Sequence, residues 1–244
     1  MAKLARGTAL VTGGARRIGR ALVRTCARAG YDVAIHCRVV DDDAQAAAAE
    51  VRSLGRKASL HSCDLRREAE TAPLVGEVET ELGLVTLLVN CASVFEADTL
   101  SDMNRASWDG HLETNLRAPL VLAQAFARRL PTDREGLIIN ILDQRVLRPG
   151  ADFFSYSLSK SALWEATRMM ALALAPNIRV NGIGPGPVLR SIHQTETDFA
   201  KEFAGVPLAR AVDPEEIGDA LTYLIDARSV TGQMIAVDAG QHLN

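Results

Sequence analysis

The stretch Thr8-Ala9-Leu10-Val11-Thr12-Gly13-Gly14-Ala15-Arg16-Arg17-Ile18-Gly19 decides the fold. Thr8–Thr12 is a short apolar run of strand length, and Ile18–Arg28 carries apolar residues at helical spacing. The glycines between them permit a tight turn and close approach of backbone. A helix that begins at such a turn presents free N–H groups, which suit a pyrophosphate. A turn of this composition can also be purely structural, so its use depends on the rest of the chain.

Outward from this unit, strand-like and helix-like runs alternate to the end. Strands are predicted at Asp32–Cys37, Lys57–Cys63, Thr86–Asn90, Gly136–Leu142, Ile178–Ile183 and Met234–Val237. Helices are predicted at Asp43–Leu54, up to Glu81, from Asn104 to Arg129, from Phe153 to Ala175 and over Pro214–Asp226. The alternation predicts an α/β fold with a seven-stranded parallel sheet and helices on both faces. No internal repeat or linker appears, so residues 1–244 are expected to form a single domain. Ligands of open parallel sheets bind outside the carboxyl ends of the strands. The turn after Thr12, the tail His36-Cys37-Arg38, Cys63-Asp64, Asn90–Ser93, Asp143 and Gly184–Pro187 should therefore line one edge.

Composition narrows the class. Of 244 residues 48% are hydrophobic and the net charge is −3, with arginines scattered, which argues against nucleic acid as a partner. No apolar run reaches the ~18 residues of a membrane span. The segment Met1-Ala2-Lys3-Leu4-Ala5-Arg6-Gly7 lacks the apolar core of a signal peptide. Cys26, Cys37, Cys63 and Cys91 show no C-x-x-C spacing, which fits free thiols in a reducing, cytoplasmic setting. His36, Cys37, His61 and Cys63 lie near the ends of neighbouring strands. Alternation sends His36 and Cys37 to opposite faces, so no metal site is expected.

Tyr156 and Lys160 are four apart in a predicted helix and project from one face. Neither Tyr31 nor Tyr223 has a lysine at that spacing. A phenol has an unperturbed pKa of ~10. A neighbouring ammonium should pull it down and let Tyr156 protonate a substrate that receives a hydride. Arg38 stands at the end of the second strand, where an NAD binder usually has a carboxylate for the ribose hydroxyls, and Arg16 lies in the turn; guanidinium groups suit a 2′-phosphate. Asp41, Asp42 and Asp43 oppose this or simply cap the next helix.

Three motifs coincide: T-G-x-x-x-x-x-G at Thr12–Gly19, N-x-A at Asn90-Cys91-Ala92, and Y-x-x-x-K at Tyr156–Lys160. With Asn115, Asn181-Gly182-Ile183-Gly184-Pro185-Gly186 and the tail from Val230 to Gly240, the whole chain resembles the short-chain dehydrogenase/reductase family. The resemblance implies a Rossmann-type doubly wound fold with NADPH on Gly13, Arg16, Arg17, Ile18, Gly19, His36, Arg38, Asp64, Leu65, Asn90, Ala92, Ser93, Tyr156, Lys160, Pro185 and Gly186. Tyr156 would be the catalytic acid, Lys160 would bind the nicotinamide ribose, and Asn115 would anchor a proton-relay water. Asp64 would cap the adenine, and residues 188–206, with His193, would form a substrate lid. The family also implies a homotetramer with Ala162 and Ala166 in its main dimer contact. Trp108 and Trp164 are expected in the core or at subunit contacts.

One position departs from the family. Thirteen residues before Tyr156, where a serine is usual, stands Asp143. A carboxylate repels the charge that develops on a ketone oxygen. Asp143, together with Arg17, Ser93 and Phe95, is similar to the pteridine reductases and the bacterial dihydromonapterin reductases. That resemblance implies reduction of a pterin or dihydropterin held by Arg17, Ser93, Phe95, Asp143 and Tyr156. A carbonyl or 3-oxoacyl reductase in which Asp143 replaces serine is the alternative, and a cofactor-binding scaffold with vestigial activity is a third reading.

Overall fold

The computed structural model describes residues 6–190 and 194–244. Among the described residues seven strands form one sheet: β1 (Thr8–Thr12), β2 (Asp32–Cys37), β3 (Ala58–Ser62), β4 (Val85–Asn90), β5 (Gly136–Ile141), β6 (Ile178–Pro185) and β7 (Met234–Val237). All pairs are parallel, in the order β3-β2-β1-β4-β5-β6-β7. The direction of winding reverses between β1 and β4, and a crevice opens there at the carboxyl ends.

Period-two alternation sends successive strand residues to opposite faces. Val11, Ile35, Val89 and Ile139 face one core with α1 (Arg17–Arg28), α2 (Asp42–Ser53) and α9 (Pro214–Asp226). Leu10, Ala34, Leu88 and Ile138 face the other with α4 (Leu74–Leu82) and α6 (Ala118–Arg129). The central strands are apolar on both sides because both sides are covered.

Local chemistry moves several boundaries. The helix expected up to Glu81 is two pieces, a turn α3 (Glu68–Thr71) and α4, because Pro73 restarts the chain as the cap of α4. The rod expected from Asn104 to Arg129 contains α5 (Arg105–Leu112), a π-helical turn at Glu113–Arg117, and α6. Pro119 has no N–H for the carbonyl of Asn115, so the α pattern cannot run through. Strand β6 extends past Ile183 because Gly184 and Pro185 pair with Ala236 and Val237. The Tyr156 helix is α7 (Phe154–Ala173). An extra helix, α8 (Glu196–Ala204), starts at a capping box of Thr195 and Asp198 and buries none of its residues. Trp108 and Trp164 are half-buried. Among the described residues no helix is long and apolar enough to cross a membrane.

Candidate active site

A cleft of about 1330 Å³ follows the carboxyl ends of the strands. Its walls include the glycine turn, Arg38, Asp64, Ala92, Phe95, Asp143, Tyr156, Lys160 and Gly186. Leu65, Ser93 and Pro185 also line it. Residues far apart in sequence therefore meet at the edge that the strand pattern indicates.

The turn after β1 is built for close approach. Gly13 has φ +65°, and a Cβ there would lie 2.9 Å from the Cα of Ala92. A Cβ on Gly19 would lie 2.0 Å from the carbonyl oxygen of Gly13. Thr12 ties the turn to β4: its Oγ1 accepts from the N–H of Cys91 at 2.9 Å and of Ala92 at 3.1 Å. Arg17 occupies a left-handed backbone position, φ 52°, which a glycine takes at less cost. Its guanidinium donates to the carbonyls of Leu189 at 3.0 Å and Arg190 at 2.9 Å. Arg17 thus joins the turn to the start of the expected lid. His193 lies outside the described residues.

The charged residues divide. Arg38 is exposed on the cleft wall. Arg16 instead pairs with Asp41 and Asp43, and Asp41 also caps α2 through the N–H of Ala44 at 3.1 Å. Both expectations for the aspartates therefore hold at once, and Arg16 does not stand free for a phosphate. Asp64 is clasped by Arg66, whose guanidinium holds its carboxyl down at about 2. His36, expected in the cofactor contact, is 3% exposed and turns its ring onto the backbone of the turn. Asn90 turns inward too, donating to Asn140 of β5 at 2.8 Å. His61 bonds Ser59 at 2.8 Å, and Cys37 approaches the carbonyl of His61.

At the centre, the hydroxyl of Tyr156 donates to Oδ2 of Asp143 at 2.7 Å. The other carboxylate oxygen accepts from the N–H of Arg145 at 2.8 Å. Lys160 donates to the carbonyl of Ile141 at 2.7 Å, and its ammonium lies 5.8 Å from the centre of the Tyr156 ring. Burial pushes the Asp143 carboxyl up and brings Lys160 down to about 8. The acidity expected for Tyr156 is reversed. Burial, then the charge of Asp143 and its hydrogen bond, push the phenol well above its ordinary value.

The β4–α5 loop carries the aromatic wall. Phe95 meets Tyr156 edge-on at 4.7 Å and stacks on Phe153 at 4.3 Å with 4° between the planes. Arg145 lies over Phe153 at 5.2 Å. Residues 7–201 match the family model described as short chain dehydrogenase. The chain belongs to the short-chain dehydrogenase family. A crystal structure of FolM alternative dihydrofolate reductase 1 from Brucella canis, complexed with NADP, is 45% identical, with a TM-score of 0.95 over 100% of this chain and 97% of that one. A blue fluorescent protein from a metagenomic library, in complex with NADPH, is 32% identical, with a TM-score of 0.91 over 98% of each chain. A 3-oxoacyl-[acyl-carrier-protein] reductase of Bos taurus is 32% identical over 96% of this chain and 97% of its own length.

Asn115, expected at a relay water, and three residues that carry no motif organise this short-chain dehydrogenase site. The side chain of Asn115 does not open to the cleft. Its Oδ1 accepts from the N–H of Val94 at 2.8 Å, and its Nδ2 donates to the carbonyl of Val94 and to Ser159, each at 3.0 Å. It therefore holds the aromatic loop to α7. His111, fully buried, accepts the N–H of Glu96 at 3.2 Å and bonds the carbonyl of Ser107 at 2.9 Å. Asp98 caps α7 from outside the helix, accepting the N–H of Ser155 at 2.9 Å and the hydroxyl of Ser107. Burial raises the Asp98 carboxyl, but these hydrogen bonds outweigh it and hold the group below its usual range. Phe153, at φ 50°, supplies the ring behind Phe95 and no cap of its own. A fixed spacing in sequence marks none of the last three, because each acts through a tertiary contact.

Proposed function

We propose that this protein is an NADPH-dependent reductase of a pterin or dihydropterin. The observation that carries the reading is the buried Tyr156–Asp143 hydrogen bond with Phe95 against the tyrosine ring. The chain fits the cofactor: the glycine turn leaves no room for a Cβ beside Ala92, and the cleft of about 1330 Å³ runs from that turn to Tyr156 and Lys160. Gly13, Ile18 and Gly19 would receive the pyrophosphate, and Arg38 the 2′-phosphate. Arg16 can join only by leaving Asp41 and Asp43, an exposed pairing that is cheap to break. Asp64, Leu65, Ala92, Pro185 and Gly186 would line the remainder. When bound, NADPH supplies the hydride.

The residues of the chain would handle the proton and the orientation of the substrate. A pterin ring stacks on Phe95, a geometry that contributes ~0.5–1.5 kcal/mol beyond area burial. Asp143 accepts N–H groups of the ring, which a ketone does not offer. The phenol of Tyr156 gives its proton to the ring nitrogen next to the carbon that takes the hydride. Its high pKa keeps that proton in place until the nitrogen becomes basic. Asp143, raised by burial, sits within hydrogen-bond reach to replace it. Lys160 leaves Ile141 to meet the ribose.

The relatives support this unevenly. The FolM neighbour at 45% identity favours pterin chemistry, and the 3-oxoacyl reductase at 32% favours a carbonyl substrate. For the second reading Asp143 must stay protonated beside the carbonyl oxygen, and its raised pKa is the observation that favours it. Residues 188–206 would act as the lid, with Arg17 as its anchor. A cytoplasmic homotetramer, built on the exposed face of α7, completes the proposal. Turnover of NADPH with a panel of pterins, dihydrofolate and ketones tests it. A protein that binds NADPH and reduces none of them would favour the scaffold reading.

A further inference from the structure

The penultimate residue of strand β2, His36, has its ring held at both nitrogens by backbone. Nδ1 of His36 lies 3.3 Å from the N–H of Gly13, and Nε2 lies 3.1 Å from the carbonyl oxygen of Cys63. The carbonyl of His36 accepts the N–H of Gly14 at 3.0 Å. One residue therefore holds the first two amides of the glycine turn. The backbone partners fix the tautomer: Gly13 can only donate and Cys63 can only accept. The lone pair is on Nδ1 and the proton on Nε2.

We propose that His36 is a positioning residue for the cofactor: as a neutral ring it holds Gly13, and with it the pyrophosphate turn, in the receiving shape, and protonation releases that hold. A second proton must enter at Nδ1, where it would face the N–H of Gly13. Two donors cannot share that contact, so the turn must shift. The ring is 3% exposed, and burial lowers its pKa. The titratable neighbours are His61, its register partner on β3, with Cys63 and Asp64 beyond it. Glu70 and Glu77 lie further along that side, Cys37 ends β2 with Arg38 just after it, and Arg16 stands in the turn. His61 opposes a charge on His36, and burial disfavours its own charge. Because the folded pKa is lowered, the neutral-state contribution is complete above the unfolded value of ~6.5 and is lost as pH falls through the folded value.

The inference rests on the proposed cofactor site, and the experiment separates the two. Dissociation constants for NADPH and NADH are measured from neutral to mildly acidic pH in the parent, His36→Asn and His36→Leu. Failure of the parent to bind either cofactor at neutral pH would refute the cofactor site itself. The parent should bind both more weakly as the ring protonates. NADH lacks the 2′-phosphate, so a loss shared by both cofactors cannot come from that phosphate titrating against Arg38. Asparagine places an acceptor near Nδ1 and cannot titrate, so His36→Asn should match the parent at neutral pH and lose the acid limb. His36→Leu should bind both cofactors roughly 3–10-fold more weakly at every pH, the effect of one neutral hydrogen bond. An acid limb that survives in His36→Asn, or parent-like binding by His36→Leu, would overturn the proposal. Imidazole nitrogen resonances of the parent test it without any variant: Nε2–H is expected, and Nδ1–H would contradict it.

Discussion

Replacing Asp143 by asparagine removes the charge at the centre of the site and leaves the shape. In the parent, Oδ2 accepts from Tyr156 at 2.7 Å and Oδ1 from the N–H of Arg145 at 2.8 Å. The Arg145 donor is fixed in the backbone, so the single oxygen of asparagine stays with it. The NH2 group then turns to Tyr156, and the phenol must accept instead of donate. Asparagine holds no carboxyl proton to return to the phenol, and loss of an acid–base group typically costs ~10²–10⁴-fold in rate. Asp143→Asn should lower kcat/KM for a pterin by about that factor while NADPH affinity changes little. Stability should move the other way. The Asp143 pKa is raised by burial, so ionisation in the folded state opposes folding once pH exceeds the unfolded value. Removing that charge should leave Tm at neutral pH unchanged or higher. The pH–rate profile discriminates further: the parent should fall above the raised pKa of Asp143, and the variant should lose that limb. Steady-state kinetics with oxidised pterin across pH, beside thermal unfolding, would test all three. Pterin turnover within a few-fold of the parent, with an unchanged pH profile, would refute the role given to Asp143.

Other outcomes follow from single contacts. Tyr156→Phe should lose ~10²–10⁴-fold in turnover, the usual contribution of a general acid, with cofactor binding intact by fluorescence titration. Arg38→Ala should weaken NADPH roughly 10–150-fold and leave NADH unchanged, as one charge-assisted bond requires; equal losses would make Arg38 structural. Asp98→Ala should cost about 1–3 kcal/mol in denaturant unfolding, because the N–H of Ser155 and the hydroxyl of Ser107 lose their acceptor. Light scattering at micromolar concentration should give a tetramer, since Met169 and Leu172 are 62% and 83% exposed on α7; Leu172→Glu should shift the mass down, and a monomeric parent would refute the assembly.

The fold was legible because α/β alternation is a strong pattern and the glycine turn fixes where the sheet reverses. Boundaries drifted where one residue changes backbone chemistry: Pro73 splits a helix, and Pro119 forces a π-helical turn at Asn115. At the site, the motif residues Asp143, Tyr156, Lys160 and Phe95 converge on one cleft. What a motif cannot convey is which atoms are already engaged. Arg16 suits a phosphate by its type and its place in the turn, but it spends its charge on Asp41 and Asp43. Lys160 is four residues from Tyr156, yet burial and the carboxylate of Asp143 raise the phenol pKa where proximity to the ammonium alone suggested a fall. His111, Asp98 and Phe153 escaped because their partners lie on other elements of the fold.

The most direct test of the account is a substrate comparison on one enzyme and one exchange. NADPH consumption is followed with an oxidised pterin and with a 3-oxoacyl thioester, for the parent and for Asp143→Ser. The account predicts that the parent reduces the pterin and barely touches the thioester, and that Asp143→Ser loses the pterin and gains weak carbonyl reduction. Efficient thioester reduction by the parent, with no pterin turnover and no change of ranking in Asp143→Ser, would contradict it.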